Sequence, residues 1–534
     1  MTDTYLLHHL VSATADRHPE HPALTFGEQS LGYRDLDDAL RRFASGLIAL
    51  GLQRGDRVGI WLDKRLETVI GCFGTAAAGC VFVPLNPLLK PEQVGYILRD
   101  CSVRILLTSP ERLALLEAVL PGCPDVRHVV TSAGPAPATS AGIASHTWSD
   151  LVATGNGRLH RVIDTDVLAI LYTSGSTGRP KGVVLSHRNM VAGAKSVASY
   201  LENTAEDTIL AALPLSFDAG FSQLSTAFHA GARAVLINYL LPKDVLNAVV
   251  KERVTGLTAV PPLWIQLSQL KWPASVTGHL RYIANTGGRM PLETLKTLRA
   301  QLPKTRPYLM YGLTEAFRST YLPPEEVDRR PDSIGKAIPN AEILVLREDG
   351  TPCAPEEPGE LVHRGALVGM GYWNDPEKTA ERYKPLPRQA SGLMLPEIAV
   401  FSGDTVRMDG EGYLYFIGRR DEMIKTSGYR VSPTEIEEVL YATQRIGECA
   451  AFGVPHPVLG HAIVVIATPP DGVTLDSATL LAECRAQLPI FMVPARIDLR
   501  QGPLPRNPNG KIDRKMLAAE YRTLFEGGAP PYAA

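Results

Sequence analysis

The chain has 534 residues, 45% of them hydrophobic, and its 54 lysines and arginines nearly balance 56 acidic side chains to leave a net charge of −2. That length exceeds one ordinary core, so two or more domains are expected. The even charge balance gives no electrostatic case for a nucleic-acid partner or an anionic membrane surface. No apolar run approaches the roughly 20 residues of a spanning helix. The opening "MTDTYLLHHLVSATADRHPEHPAL" places His and Asp where a signal peptide would be apolar, so a cytoplasmic protein is expected.

In chain order, apolar runs at "RVGIWL", "CVFVPL", "VRILLTS", "RHVVTS", "VLAILYTS", "TILAALPL", "RAVLINY", "GLTAVPP" and "LRYIANTGG" alternate with helical stretches. This is the signature of parallel sheets covered by helices. "SAGPAPATSAGIAS" and "PLPRQASGLMLPE" read as exposed loops. From about Asp332 shorter strands and turns predominate, and a final α/β stretch runs from "CAAFGVPHPVLGHAIVVIATPP" to "LPRNPNGKIDRKML". The expected fold is α/β: a large N-terminal region of several subdomains, with parallel sheets and a β-rich part, over 1–420. A small mobile α+β domain follows over 421–534. The seven cysteines show no CxxC pairing or metal spacing and read as small core residues rather than nucleophiles.

One segment asks for a ligand. "LYTSGSTGRPKGVVLSHRNM" places Thr173, Ser174, Gly175, Ser176, Thr177 and Gly178 just before Lys181. Glycines bring amide N–H groups close to a ligand, hydroxyls add donors and the lysine adds a compact cation, a set suited to gripping phosphates. A strand over Leu168 to Tyr172 should lead into the loop, and a helix should follow from Arg188. The loop is not a Walker A motif, because only two residues separate Gly175 from Gly178 and Gly182 follows Lys181.

Together with "YGLTEA", "SGDTVRMDGEGYLYFIGRRDEMIKTSGYRV" and "NPNGKIDR", this segment resembles the AMP-forming adenylating enzymes, in order and spacing and over almost the whole chain. That superfamily comprises acyl-CoA synthetases, peptide-synthetase adenylation domains and luciferases. More narrowly, "YGLTEAFRSTYLPPEEVDRRPDSIGKAIPNAEILV" is similar to bacterial ligases encoded with exosortase or carrier-protein gene clusters. The resemblance implies that a carboxylate attacks the α-phosphate of ATP and releases pyrophosphate. A phosphopantetheine thiol, on CoA or on a discrete carrier protein, then takes the acyl group.

The resemblance also implies roles for residues. The Thr173–Lys181 loop would hold the β- and γ-phosphates. Tyr311 would pack on adenine beside Gly312, Thr314 would touch the α-phosphate, and Glu315 would hold Mg²⁺, which needs only one or two carboxylates beside phosphate oxygens and water. Gly287 and Gly288 would line the adenine and acyl pockets. Asp404 would take the ribose hydroxyls, supported by Arg419, and Arg430 would approach the phosphate. Asp421 would be the hinge, and Gly428 would leave room for the pantetheine arm. Lys511 would bridge carboxylate and α-phosphate in the adenylate-forming orientation only.

For the acid, "LPLSFDAGFSQL" is informative. Amino-acid-adenylating relatives carry Phe-Asp here, as this chain does at Phe217-Asp218, and the aspartate meets the substrate's ammonium. A charge facing an acyl pocket is costly unless a cation meets it. A small amino acid is therefore expected, with Asp218 as the cap of a helix starting near Gly220 the plainer alternative. Gly220 itself departs from the usual serine. The resemblance implies that Arg289 and Arg318 would flank the same pocket, as candidate partners for Asp218 or for a second substrate carboxylate. A fatty acyl- or aryl-CoA synthetase, a luciferase-type monooxygenase and a non-catalytic nucleotide-binding paralogue are the competing readings.

Overall fold

The computed structural model describes residues 4–134, 142–153, 157–173, 180–387, 395–419, 422–426, 429–457, 459–470, 475–507 and 510–525. Each apolar run named above becomes a buried strand. Among the described residues, a nine-stranded sheet has as its parallel centre the strands Arg306–Tyr311, Tyr282–Asn285, Gly256–Ala259, Thr208–Ala211, Arg233–Leu236 and Pro22–Phe26. A seven-stranded sheet contains Val103–Thr108, Arg57–Trp61, Val81–Pro84 and Val167–Thr173 in parallel. Strands buried on both faces read as unbroken apolar runs rather than alternating ones, and for that reason composition alone marked them.

The helices Leu66–Ala77, His187–Tyr200 and Asp218–Ala230 lie between the two sheets and contribute to one core cluster with Phe73, Phe82, Met190, Phe221 and Phe228. Phe221 stacks on Phe73 and on Phe82 at 5.5 and 5.0 Å between ring centroids. Six cysteines are buried in these cores and Cys353 is half-buried. Burial pushes the Cys80 and Cys101 thiols up to about 12, which suits packing residues and not nucleophiles.

Past these layers, an antiparallel sheet joins Ala341–Leu346, Gly359–Gly365 and Ile398–Met408, with Leu414–Arg419 on the far side of the long strand. The chain then changes sheets. Ile424–Thr426 belongs to a different sheet with Glu448–His456 and Gly460–Thr468, which the helices Pro433–Ala442 and Ser477–Gln487 cover. The α/β class, the parallel sheets, the β-rich part and a separate C-terminal α+β domain are therefore as the sequence predicts. Among the described residues no helix is long and apolar enough to cross a membrane.

The strand expected before the phosphate loop spans Val167–Thr173, and the helix expected from Arg188 starts at His187. Between loop and helix lies a strand the sequence reading did not name, Lys181–Ser186, antiparallel to Val167–Thr173. Val183, Val184 and Leu185 prefer the pleated surface and are buried there. Ser186 then caps the helix by accepting from the Asn189 N–H.

Candidate active site

Three side-chain clusters and one lysine converge where the C-terminal domain meets the large region. The phosphate loop is the tip of the hairpin just described, closed by Thr173 opposite Lys181; Ser174, Gly175, Ser176, Thr177 and Gly178 lie outside the described residues. The Lys181 ammonium sits 5.6 Å above the Tyr372 ring, whose hydroxyl donates to Glu315 Oε1 at 2.6 Å. Burial lowers the Lys181 pKa, and the nearby positive charges of Lys378 and Arg382 lower it further. Such a cationic cluster beside one oriented carboxylate suits a polyphosphate and its divalent ion. Among the described residues no group of three metal-ligating side chains exists, so a metal held by Glu315 would need phosphate oxygens and water for the rest of its shell, which magnesium accepts.

The second cluster is built on Asp404. Strand pairing sets Asp404 opposite Arg419, and the Tyr311 hydroxyl donates to Asp404 Oδ2 at 2.6 Å. Asp404 Oδ1 is buried without a hydrogen bond, 3.9 Å from Arg419 Nε. Burial raises the Asp404 pKa, with Arg419 and the Tyr311 hydrogen bond opposing it. An orphaned carboxylate oxygen is costly unless a donor arrives, and the two hydroxyls of a ribose are such donors. Tyr311 therefore has a task the motif alone did not give: its hydroxyl orients Asp404 while its ring stays beside Phe416 at 6.3 Å.

The third cluster concerns the acid. Asp218 is the first residue of its helix; the cap position is Phe217, which makes no side-chain cap bond. The capping alternative is thus corrected. Asp218 instead accepts from Arg318 Nη1 at 3.0 Å and from the Thr314 hydroxyl at 3.2 Å. Arg318 is 2% exposed, and Phe317 before it sits at φ 56°, a left-handed conformation that bulky residues rarely adopt. Phe317 is held there by burial against the helix carrying Gly193, where an added Cβ would come within 2.2 Å of its ring. The premise that Asp218 needs a substrate cation is therefore removed, because Arg318 supplies one. Gly220 has a packing reason: a Cβ there would lie 1.9 Å from the Pro214 carbonyl oxygen.

Lys511 joins these clusters from the C-terminal domain. Gly287 has φ +75°, and a Cβ on it would lie 4.0 Å from Lys511 Cε and 3.2 Å from Val260 Cγ1. Gly288 presents its carbonyl to Asn285 Nδ2 at 2.8 Å, which holds the turn. Lys511 keeps solvent exposure, but the neighbouring protein strips part of its hydration. Burial, then repulsion from Arg419, lowers its pKa, while Asp218, Asp404 and Glu422 pull it back up. Gly312 is packed against Arg318, whose Cα would be 3.3 Å from a Cβ on it.

Asp421 and Gly428 lie outside the described residues, as does the side chain of Arg430 in the strand Tyr429–Val431. Sequence reasoning missed Tyr372, Lys378 and Arg382. They lie in "GYWNDPEKTAERY", which carries no glycine-rich or paired-charge signal, and only the fold brings them to Lys181 and Glu315.

The chain belongs to the AMP-binding enzyme family: that family's profile matches residues 11–373, and the profile described as the AMP-binding enzyme C-terminal domain matches 435–511. It is 30% identical to an indoleacetate–CoA ligase of Aromatoleum aromaticum, over 97% of this chain and 99% of that protein. It is 29% identical to a long-chain-fatty-acid–CoA ligase of Salmonella typhimurium, over 97% of this chain and 95% of that protein. Among solved structures, ATP-bound MatB from Rhodopseudomonas palustris superposes with a TM-score of 0.84 at 26% identity, covering 97% of this chain and 99% of that one. The protein is an AMP-forming ligase of acids to thiols.

Proposed function

We propose that the chain activates a small organic acid as its adenylate and passes the acyl group to the phosphopantetheine thiol of CoA, with a discrete carrier protein as the alternative acceptor. The observation that carries this reading is the placement of Lys511, a C-terminal-domain residue, beside Gly287 and within the field of Asp218 and Asp404. Joining a carboxylate to a phosphate brings two anions together, so the site must supply positive charge where negative charge develops. Lys511 does this, with Thr314 the second group assigned to the α-phosphate. Asp404, held by Tyr311, takes the ribose and so aims the α-phosphate. Lys181 stands over the leaving pyrophosphate; a magnesium ion at Glu315, when bound, would neutralise the phosphate oxygens. A charge delivered by a separate domain can be withdrawn once the adenylate exists, and Asp421 is the proposed hinge for that swing and Gly428 the proposed wall of the thiol tunnel.

For the acid, the Asp218–Arg318 pair supports an uncharged aryl or acyl group, in line with the relatives named as CoA ligases of indoleacetate and long-chain fatty acids. A small amino acid is the second reading, favoured by Asp218 itself, since a carboxylate holding two donors still has lone pairs for an ammonium. ATP–pyrophosphate exchange with benzoate, octanoate, alanine and proline, followed by thioester assays with CoA and with holo-carrier proteins, tests all of this. Exchange supported by none of these acids would refute the proposed activity; exchange with alanine or proline alone would select the second reading.

A further inference from the structure

The turn that lines the acid pocket, Asn285 to Pro291, leads into the helix Leu292–Gln301. That helix begins without a cap of its own, because the cap position is Pro291, which has no side-chain acceptor. The other domain reaches the same place: the carboxylate of Glu438, in the helix Pro433–Ala442, pairs with Arg289 at 3.5 Å, with both side chains about four-fifths covered (22% and 21% exposed). Just past the end of that helix, Gln444 donates to Glu293, in the first turn of Leu292–Gln301, at 3.1 Å. The two helices pack against each other. Arg289 is next to Gly288 in the turn, and Gly287 of that turn faces Lys511.

We propose that Glu438 is a positioning residue that couples the order of the acid-pocket turn to the orientation of the small domain, an inference that rests on the two-step reaction proposed above. While Lys511 is at the reaction centre, Glu438 neutralises Arg289 and Gln444 holds Glu293, so the turn and the start of its helix are tied to the small domain. When the small domain leaves for thioester formation, Arg289 loses its counter-ion and Glu293 its Gln444 donor in the same movement. The pocket wall loosens at the step where the acyl group must become reachable by the thiol. Glu438 touches no reacting atom; it acts through the 285–291 turn.

The test uses the full chain with Cys353→Ser and nitroxide labels at Lys271→Cys and Gln487→Cys, one exposed site on each domain, and measures inter-domain distances by pulsed electron resonance with Mg²⁺ and ATP. Glu438→Ala is expected to shrink the closed population roughly fivefold, the factor a well-placed, partly covered ion pair carries. Glu438→Gln removes the charge and should behave like Glu438→Ala. The swap Arg289→Glu with Glu438→Arg restores the ion pair and should recover most of the loss. In the kinetic arm, with whichever of benzoate, octanoate, alanine or proline is exchanged, Glu438→Ala slows pyrophosphate exchange about as much as it shrinks the closed population. Transfer to CoA from a pre-made adenylate is unchanged or faster. An unaltered closed population in Glu438→Ala, or equal losses in both half-reactions, overturns the proposal. The distance arm needs no turnover, so a failed acid panel would refute the proposed activity and still leave the coupling decided.

Discussion

Asp218→Ala isolates what the buried pair does. In the native chain Arg318 is 3% exposed at the side chain and Asp218 13%, with 3.0 Å between them. Removing the carboxylate leaves Arg318 with the Phe317 carbonyl, 3.2 Å away, and without its counter-charge. Breaking a buried pair on one side costs about 3–5 kcal/mol, and the stranded Thr314 hydroxyl adds about 1 kcal/mol. Replacing both partners, Asp218→Ala with Arg318→Met, removes the uncompensated charge, so the double variant should sit within about 1–2 kcal/mol of the native chain. Adding Arg318→Met to Asp218→Ala should thus recover about 3 kcal/mol of the loss. Urea unfolding followed by tryptophan fluorescence measures it, and the exchange panel run beside it reports the acid profile. A single variant within 1 kcal/mol of wild type, or a double variant no better than the single one, would show that Arg318 is not what stabilises Asp218. A selective loss of alanine and proline exchange would show that a substrate ammonium is its partner instead.

Lys511→Ala should slow adenylate formation about 10³-fold, since an ammonium about 4 Å from a developing oxyanion at an effective dielectric near 20 contributes about 4 kcal/mol; transfer from a pre-made adenylate should persist, and equal losses in both steps would refute the assignment. Because burial lowers the Lys511 pKa and the reaction needs its charged form, pyrophosphate exchange should fall as pH rises through a value below that of an ordinary lysine. Lys511→Arg, whose charge does not titrate in this range, should lose that alkaline limb even where its rate is low. His187 and His363 are 1% and 0% exposed, and burial holds both near pKa 4. The unfolded chain binds these protons near pH 6.5, so stability is present above that pH and drains away as pH falls toward 4, by about 2 kcal/mol per histidine at pH 5. The urea midpoint measured at pH 7 and pH 5 checks this, and His363→Asn should flatten the slope.

The amino-acid order by itself determined which chemistry the chain carries. Glycines, hydroxyls and a lysine in "YTSGSTGRPK", the Thr-Glu pair of "YGLTEA" and the lysine of "NPNGKIDR" are contiguous signals, and the apolar strand runs are local too. Local signals are legible because neighbours in sequence act together before any fold exists. What only the tertiary structure decided involves residues far apart in the chain. The identity of Asp218's partner is one such case: the sequence shows a charge near a pocket, but whether a ligand or Arg318 neutralises it depends on a strained Phe317 that turns the guanidinium inward. Another is the trio of Tyr372, Lys181 and Glu315, assembled from three separate segments. The strand after the phosphate loop was missed because a short run of β-branched residues before a helix has no period long enough to separate it from the helix itself. Glu438 was invisible because its partner Arg289 lies far away in the chain, in the other domain, and no local pattern marks a pair that only the fold brings together.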